Sequence, residues 1–328
     1  MGPSVSPSPA PKGALPLLAG SLAGLLFLLP GLAEAVPALA FPLSLAGLLS
    51  ASPLVAVRIP GRFIHALLAL LVSTLLITAA TSADEALSFA VVFGAWALVA
   101  GEVMRRQRSL IAGCSAGFGV LGLEALAMVF LGGQAPLQQT LSSPQVQQAF
   151  DQWSAQAPLE AGEAKVAVER VKAGIAALYP ALAVVSAGSI VALNALALSR
   201  LFSRAPGRVF PRHELLLLRW PWALVVAFVG SGALLLAPSL HTVAWNGLVV
   251  TLFLFLLQGL SVLAFGLTRL FASEFMRAAV LFASILGPWA ILLSLLGLFD
   301  QWFDFRGRFT RRDDDDAAGA SAGSNDLR

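Results

Sequence analysis

The chain has 328 residues, 58% of them hydrophobic and only 12% charged, with a net charge of +3 and a mean hydropathy of +0.82. A soluble domain is nearer one-quarter charged because its surface faces water, so most of this chain's surface faces something else. The basic balance does not point to nucleic acid, because the arginines sit in short loops between apolar runs rather than on one face.

Residues 1–13 are rich in Pro and Ser and read as a disordered tail. From there to residue 310 the chain reads as one multi-pass membrane domain. Its apolar runs are Ala14–Leu32, Val36–Val57, Phe63–Ala80, Ala86–Val103, Leu110–Leu131, Leu178–Leu201, Pro221–Ala237, Ala244–Leu267 and Ala278–Leu298. A bilayer core asks for about 20 apolar residues per helix, and these runs approach or exceed that length. A membrane barrel would instead show alternating segments of about ten residues. Without water in the hydrocarbon the backbone must bond to itself, which leaves helices. The expected fold class is all-α, a polytopic transmembrane helical bundle of about eight or nine spans. The first run imitates a signal peptide, with Lys12 before it and Ala33-Glu34-Ala35 resembling a cleavage site. A second span follows almost at once, so the first is read as retained.

Orientation follows from the arginines. With the N-terminus in the cytoplasm, Arg58 and Arg62 fall inside, then Arg105, Arg106 and Arg108. Arg200, Arg204, Arg208, Arg212 and Arg219 follow on the same side, and so do Arg269 and Arg277. The opposite loops, Thr81–Glu85 and Pro238–Thr242, carry no Lys or Arg. This is the pattern of a bacterial inner-membrane protein. Nine straight spans, however, put Arg306, Arg308, Arg311 and Arg312 outside, against the rule. Either one run fails to cross, or the tail is translocated with the acidic stretch Asp313–Asp316. Residues 311–328 read as disordered.

One long segment, 133–172, is polar and lies outside the cytoplasm in this topology. Val146, Phe150 and Trp153 recur at the spacing of one amphipathic stripe. After Pro158, Val168, Val171, Ile175 and Leu178 keep the helical period, so a helix is expected to run into the sixth span, with a kink at Pro180. A packed cap on the bundle is preferred to a binding lid.

Chemistry is sparse. His65, His213 and His241 lack metal-ligand company apart from His213-Glu214 in an arginine-rich loop, and no Gly-rich phosphate loop or hydrolase motif appears. The single cysteine, Cys114, lies in an apolar run, reads as a small buried hydrophobe and has no intramolecular disulfide partner. No catalytic residue, metal or cofactor is assigned, and the chain is not read as an enzyme. The most informative residue is Glu124, inside the fifth span. A carboxylate at such depth is costly unless it meets a partner or water, so it marks a binding site or pathway. Gly113 and Gly117 precede it by 11 and 7 residues on one helical face. Asn194 and Gln258 are the other polar candidates at depth. Interhelical hydrogen bonding is the default for both, and one polar cavity shared with Glu124 is the sharper alternative. Glu102 beside Arg105 and Arg106 reads as an interfacial charge pair. Ala19/Ala23 and Gly20/Gly24 favour close helix packing. Trp302, Phe303 and Phe305 with Arg306 read as an interfacial anchor.

Phe41-Pro42-Leu43, Pro53, the Arg58 to Gly61-Arg62 turn, Leu178-Tyr179-Pro180, Leu218-Arg219-Trp220-Pro221 and Leu256-Leu257-Gln258-Gly259-Leu260 carry a resemblance. With the closing Leu296-Gly297-Leu298-Phe299-Asp300-Gln301-Trp302-Phe303-Asp304-Phe305-Arg306, they resemble the YybS-like family of bacterial multi-pass membrane proteins. The resemblance implies membrane residence and no particular activity. Its layout is loosely similar to the six-helix substrate-binding subunits of energy-coupling-factor vitamin transporters, by analogy only. Two functions are therefore carried. One is a small-molecule binding or transport component. The other is a scaffold that recruits a protein partner through the cytoplasmic Arg-rich loop 200–219. The lipid bilayer is a partner in both.

Overall fold

In the computed structural model the described residues are 14–33, 36, 39–133, 135–156, 161–203, 210 and 214–308. The expected tails 1–13 and 311–328, the cleavage-like Glu34-Ala35, His213 and most of the loop from Arg204 to Arg212 lie outside them. The described residues form helices and turns with no strand. The chain divides into two compact units, residues 1–147 with 186–212 and residues 148–185 with 213–328.

The first unit begins with α1 (Ala14–Leu28), extended by a 3-10 turn (Leu29–Ala33). The second apolar run, expected as one span over Val36–Val57, is a single candidate span over Ala40–Arg58, built from two helical stretches, α2 (Ala40–Leu48) and α3 (Ser52–Arg58). Pro53 occupies the first turn of α3, where its missing N–H is harmless. Then come α4 (Phe63–Ala80), α5 (Ala83–Phe89), a π-helical turn (Ala90–Ala95), α6 (Trp96–Gln107) and α7 (Leu110–Gly132). Short α8 (Ala135–Leu141) follows, and α9 (Pro144–Gln156) begins here. Small residues set the packing distances. Gly20 and Gly24 of α1 lie against the Ala69 and Ser73 backbone of α4, so the small-residue stripe is used within the bundle. Gly113 and Gly117 of α7 do the same against α6: Gly113 meets Met104 and Ala100, and Gly117 meets Trp96 and Ala100. The outward faces keep large exposed side chains such as Leu71, Leu75 and Phe130, as lipid-solvated helices do.

Helix α10 (Ala161–Ser203) is 43 residues long and contains Pro180, so the helix expected to run into the sixth span does so. Its residues to 185 belong to the second unit and the remainder to the first. In the second unit a 3-10 turn (Glu214–Leu217) leads to α11 (Ala223–Leu234), α12 (His241–Leu270), α13 (Glu274–Ile285) and α14 (Trp289–Phe303). Helices α12 and α14 close on each other through Gly259 and Gly297. A methyl group on Gly259 would overlap the Leu293 carbonyl, and one on Gly297 would overlap that of Phe255. Val225, Phe255 and Leu298 form a small apolar core between α11, α12 and α14.

Taking Ala14–Leu32, Ala40–Arg58 and Ala83–Gln107 each as one continuous stretch, seven described helical segments are long and apolar enough to span a membrane, or eight if the bent pair α13–α14 is one span. Two of the nine expected runs therefore differ from straight spans. The run over Pro221–Ala237 yields a helix of only 12 residues, about 18 Å long against a hydrocarbon core of about 30 Å. The run over Ala278–Leu298 breaks between Ile285 and Trp289, where the axis turns by 102°. Gly287 sits there at φ +68, a conformation glycine adopts without strain, and Pro288 follows it.

Candidate functional site

Helix α7 is started by Ser109, whose hydroxyl accepts from the Ala112 N–H at 3.0 Å. The glycine contacts show that α6 and α7 run antiparallel, since later residues of α7 meet earlier ones of α6. Seven residues beyond Gly117, at ~1.5 Å per residue, the same face reaches Glu124. The π-helical turn Ala90–Ala95 precedes Trp96 on the facing helix and packs against α7. Such turns insert one extra residue into the helical ladder and recur at functional sites. Glu124 is half-buried, and its Oε2 is enclosed with no hydrogen-bond partner. The indole Nε1 of fully buried Trp96 also lacks one. An acceptor and a donor, each without a partner, thus occur on two helices that touch.

Asn194 of α10 is fully buried in the same unit, and its amide is spent. Nδ2 donates to the carbonyls of Leu48 and Ile190, both at 2.8 Å, and Oδ1 accepts from Ser52 Oγ at 2.7 Å. This ties α10 to the break between α2 and α3. None of these bonds goes to Glu124.

Gln258 of α12 lies in the second unit, fully buried, at the heart of a polar cluster. Its Oε1 accepts from the Trp220 backbone N–H at 3.0 Å and from Gln301 Nε2 at 3.1 Å, and its Nε2 donates to Asp300 Oδ2 at 3.2 Å. The same Asp300 oxygen pairs with Arg306 Nη2 at 2.6 Å, while Oδ1 caps the Phe305 N–H at 3.1 Å. Arg306 Nη1 donates to the carbonyls of Leu216 and Leu218 and to Ser261 Oγ. Gln301 also donates to the Trp220 carbonyl at 2.9 Å. The result is a buried clasp holding the end of α14 against residues 215–220 and α12. The anchor expected at 302–306 is therefore divided. Trp302 and Phe303 are exposed, but Arg306 is 7% exposed and turns inward to Asp300. Asp300 was legible in principle, because a carboxylate beside an apolar run raises the question asked of Glu124.

Among the described residues no group of three His, Cys, Asp or Glu side chains could hold a metal. The second unit has an apolar cleft of about 400 Å³ lined by Gly174, Ala177, Leu178, His241, Thr242 and Trp245. His241 is tied to the Leu235 carbonyl at 2.8 Å, and none of the three polar candidates lines the cleft.

Apolar helices of this length and number define a multi-pass α-helical membrane protein, in contact with a lipid bilayer. A family model described as a predicted membrane protein, DUF2232, matches residues 23–301, and the chain belongs to this family. No curated protein and no solved structure matches the chain.

Proposed function

We propose that the protein is a small-molecule binding or transport component of a bacterial inner membrane, that it is not an enzyme, and that Glu124 is the group that meets the ligand. The observation supporting this is the enclosed Oε2 of Glu124, a membrane-embedded carboxylate oxygen without a hydrogen-bond partner. Structural glue would have its hydrogen bonds made, as Asn194 and Gln258 do. The YybS-like resemblance and a cytoplasmic N-terminus, read from the arginine loops, belong to the same proposal. The scaffolding alternative has less support, because Arg219 of its 200–219 loop, though exposed, is already engaged by residues of the chain itself. Arg219 donates to the Gln301 carbonyl at 3.1 Å and faces Asp304 at 3.7 Å.

The test is native mass spectrometry of the protein purified in mild detergent, beside Glu124→Gln, which keeps the shape and removes the charge. A co-purifying small molecule carried by the wild type and lost from the folded variant is the expected result. Wild-type protein that carries nothing, or a variant that carries the same mass, overturns the reading. Crosslinking that recovers a stoichiometric protein partner would favour the scaffold.

A further inference from the structure

Arginines gather at one end of the first unit around a single carboxylate. Glu102 of α6 pairs with Arg58 of α3, with Arg105 at 2.9 Å, and with Arg106. Arg58 is buried, donates to the Gly61 carbonyl at 2.8 Å and stacks over Phe63 at 5.5 Å. Gly101 lets α3 approach closely enough for this, since a methyl group there would meet the Arg58 side chain at 2.7 Å. The turn 59–62 and the end of α6 are thereby fixed to each other.

The charges do not balance. Arg58, Arg62, Arg105, Arg106 and Arg108 stand against Glu102, and Arg62, Arg105, Arg106 and Arg108 are all exposed, Arg106 with 71% of its side chain. Arg62 also heads α4, whose first turn has no side-chain cap and no acidic residue, leaving backbone N–H groups directed outward. Ile64, Leu67, Leu68, Leu71 and Leu75 then run down α4 as an exposed apolar stripe. A cationic rim above a greasy stripe matches a molecule with an anionic head and an acyl tail.

We propose that this end of the first unit binds an anionic phospholipid. Its phosphate is held by Arg62, Arg106 and Arg108 at the α4 N-terminus, and a chain lies along the α4 stripe. Basic clusters at the cytoplasmic ends of spans recognise such headgroups. Glu102 keeps the rim in place and leaves it positive.

The probe is phosphatidylglycerol against phosphatidylcholine. Full-length protein is exchanged into mixed nanodiscs, extracted, and its retained lipid counted by native mass spectrometry. The wild type retains phosphatidylglycerol selectively. At a factor of about five per arginine, the triple variant Arg62→Gln, Arg106→Gln, Arg108→Gln loses about a hundredfold in that preference. The variant Arg269→Gln, Arg277→Gln, with charge removed from the second unit, keeps it. Equal retention of both lipids by the wild type, or undiminished selectivity in a folded triple variant, overturns the proposal. So does displacement of the bound lipid by millimolar inorganic phosphate, which would make the site one for a soluble anion.

Discussion

Asp300 and Arg306 form an ion pair at 2.6 Å, with the carboxylate fully enclosed and the guanidinium nearly so. The pair is hydrogen-bonded in turn by Gln258, the Phe305 N–H, the carbonyls of Leu216 and Leu218, and Ser261. A buried pair is tolerated only when its remaining lone pairs and protons are satisfied in this way. Arg306→Ala is therefore expected to cost about 3–5 kcal/mol, because it strands the charge on Asp300. The double variant Asp300→Leu, Arg306→Met recovers part of that loss. It does not recover all of it, since the Leu216 and Leu218 carbonyls still lose their donor. Thermal unfolding in detergent, followed by circular dichroism, reads both changes. A double variant no more stable than Arg306→Ala would contradict the account.

The clasp also bears on the side of the membrane. It bonds residues 300–306 to residues 215–220, which places those two stretches at one depth. Residues 215–220 leave the arginine loop that the positive-inside rule assigns to the cytoplasm. A reporter fused after Arg308 is therefore expected on the same side as one inserted at residue 218, and opposite one inserted at Gln148. The arginines that nine straight spans would leave outside then rejoin the rule, through the break at Gly287. Fusions at Arg308 and residue 218 reporting opposite sides would rule this out.

Much of the helix plan was readable, and the reason is physical. Hydrocarbon demands a continuous apolar run, so Phe63–Ala80 and Leu110–Gly132 announce themselves to within a residue. The same continuity hides breaks. The chain stays greasy through Leu286-Gly287-Pro288 while its axis turns by 102°, and only the Gly-Pro pair marks the place. The candidate site divides similarly. A lone carboxylate such as Glu124 stands out in a span. The partners of Gln258, however, are 38 to 43 residues away in the chain, and no local period connects them.

The meeting of α12 and α14 gives a sharper packing test. Around Gly259 and Gly297 the two helices touch through backbone, which cannot rotate aside as a side chain does. Gly259→Ala and Gly297→Ala are each expected to destabilise by about 3 kcal/mol, the upper range for overpacking. Gly230→Ala on α11, where nothing lies within 4 Å of the added carbon, is neutral or gains up to about 1 kcal/mol of helix propensity. Comparable losses at all three positions would show that the close approach is not what limits them.

Asn246 braces α10 at its proline. Pro180 has no N–H and crowds the preceding turn, which loosens the ladder around it. The Asn246 amide spans this place, accepting from the Ala181 N–H at 2.8 Å and donating to the Ala177 carbonyl at 2.8 Å. A regular helix would join those two groups directly. Asn246→Ala is thus expected to cost about 1–2 kcal/mol, the range for a polar bond between membrane helices. In a Pro180→Ala background the backbone can close its own ladder, so the same substitution should cost less than half as much. A thermal-unfolding double-mutant cycle measures that coupling. Equal costs in the two backgrounds would mean that Asn246 supports the helix pair without standing in for the backbone.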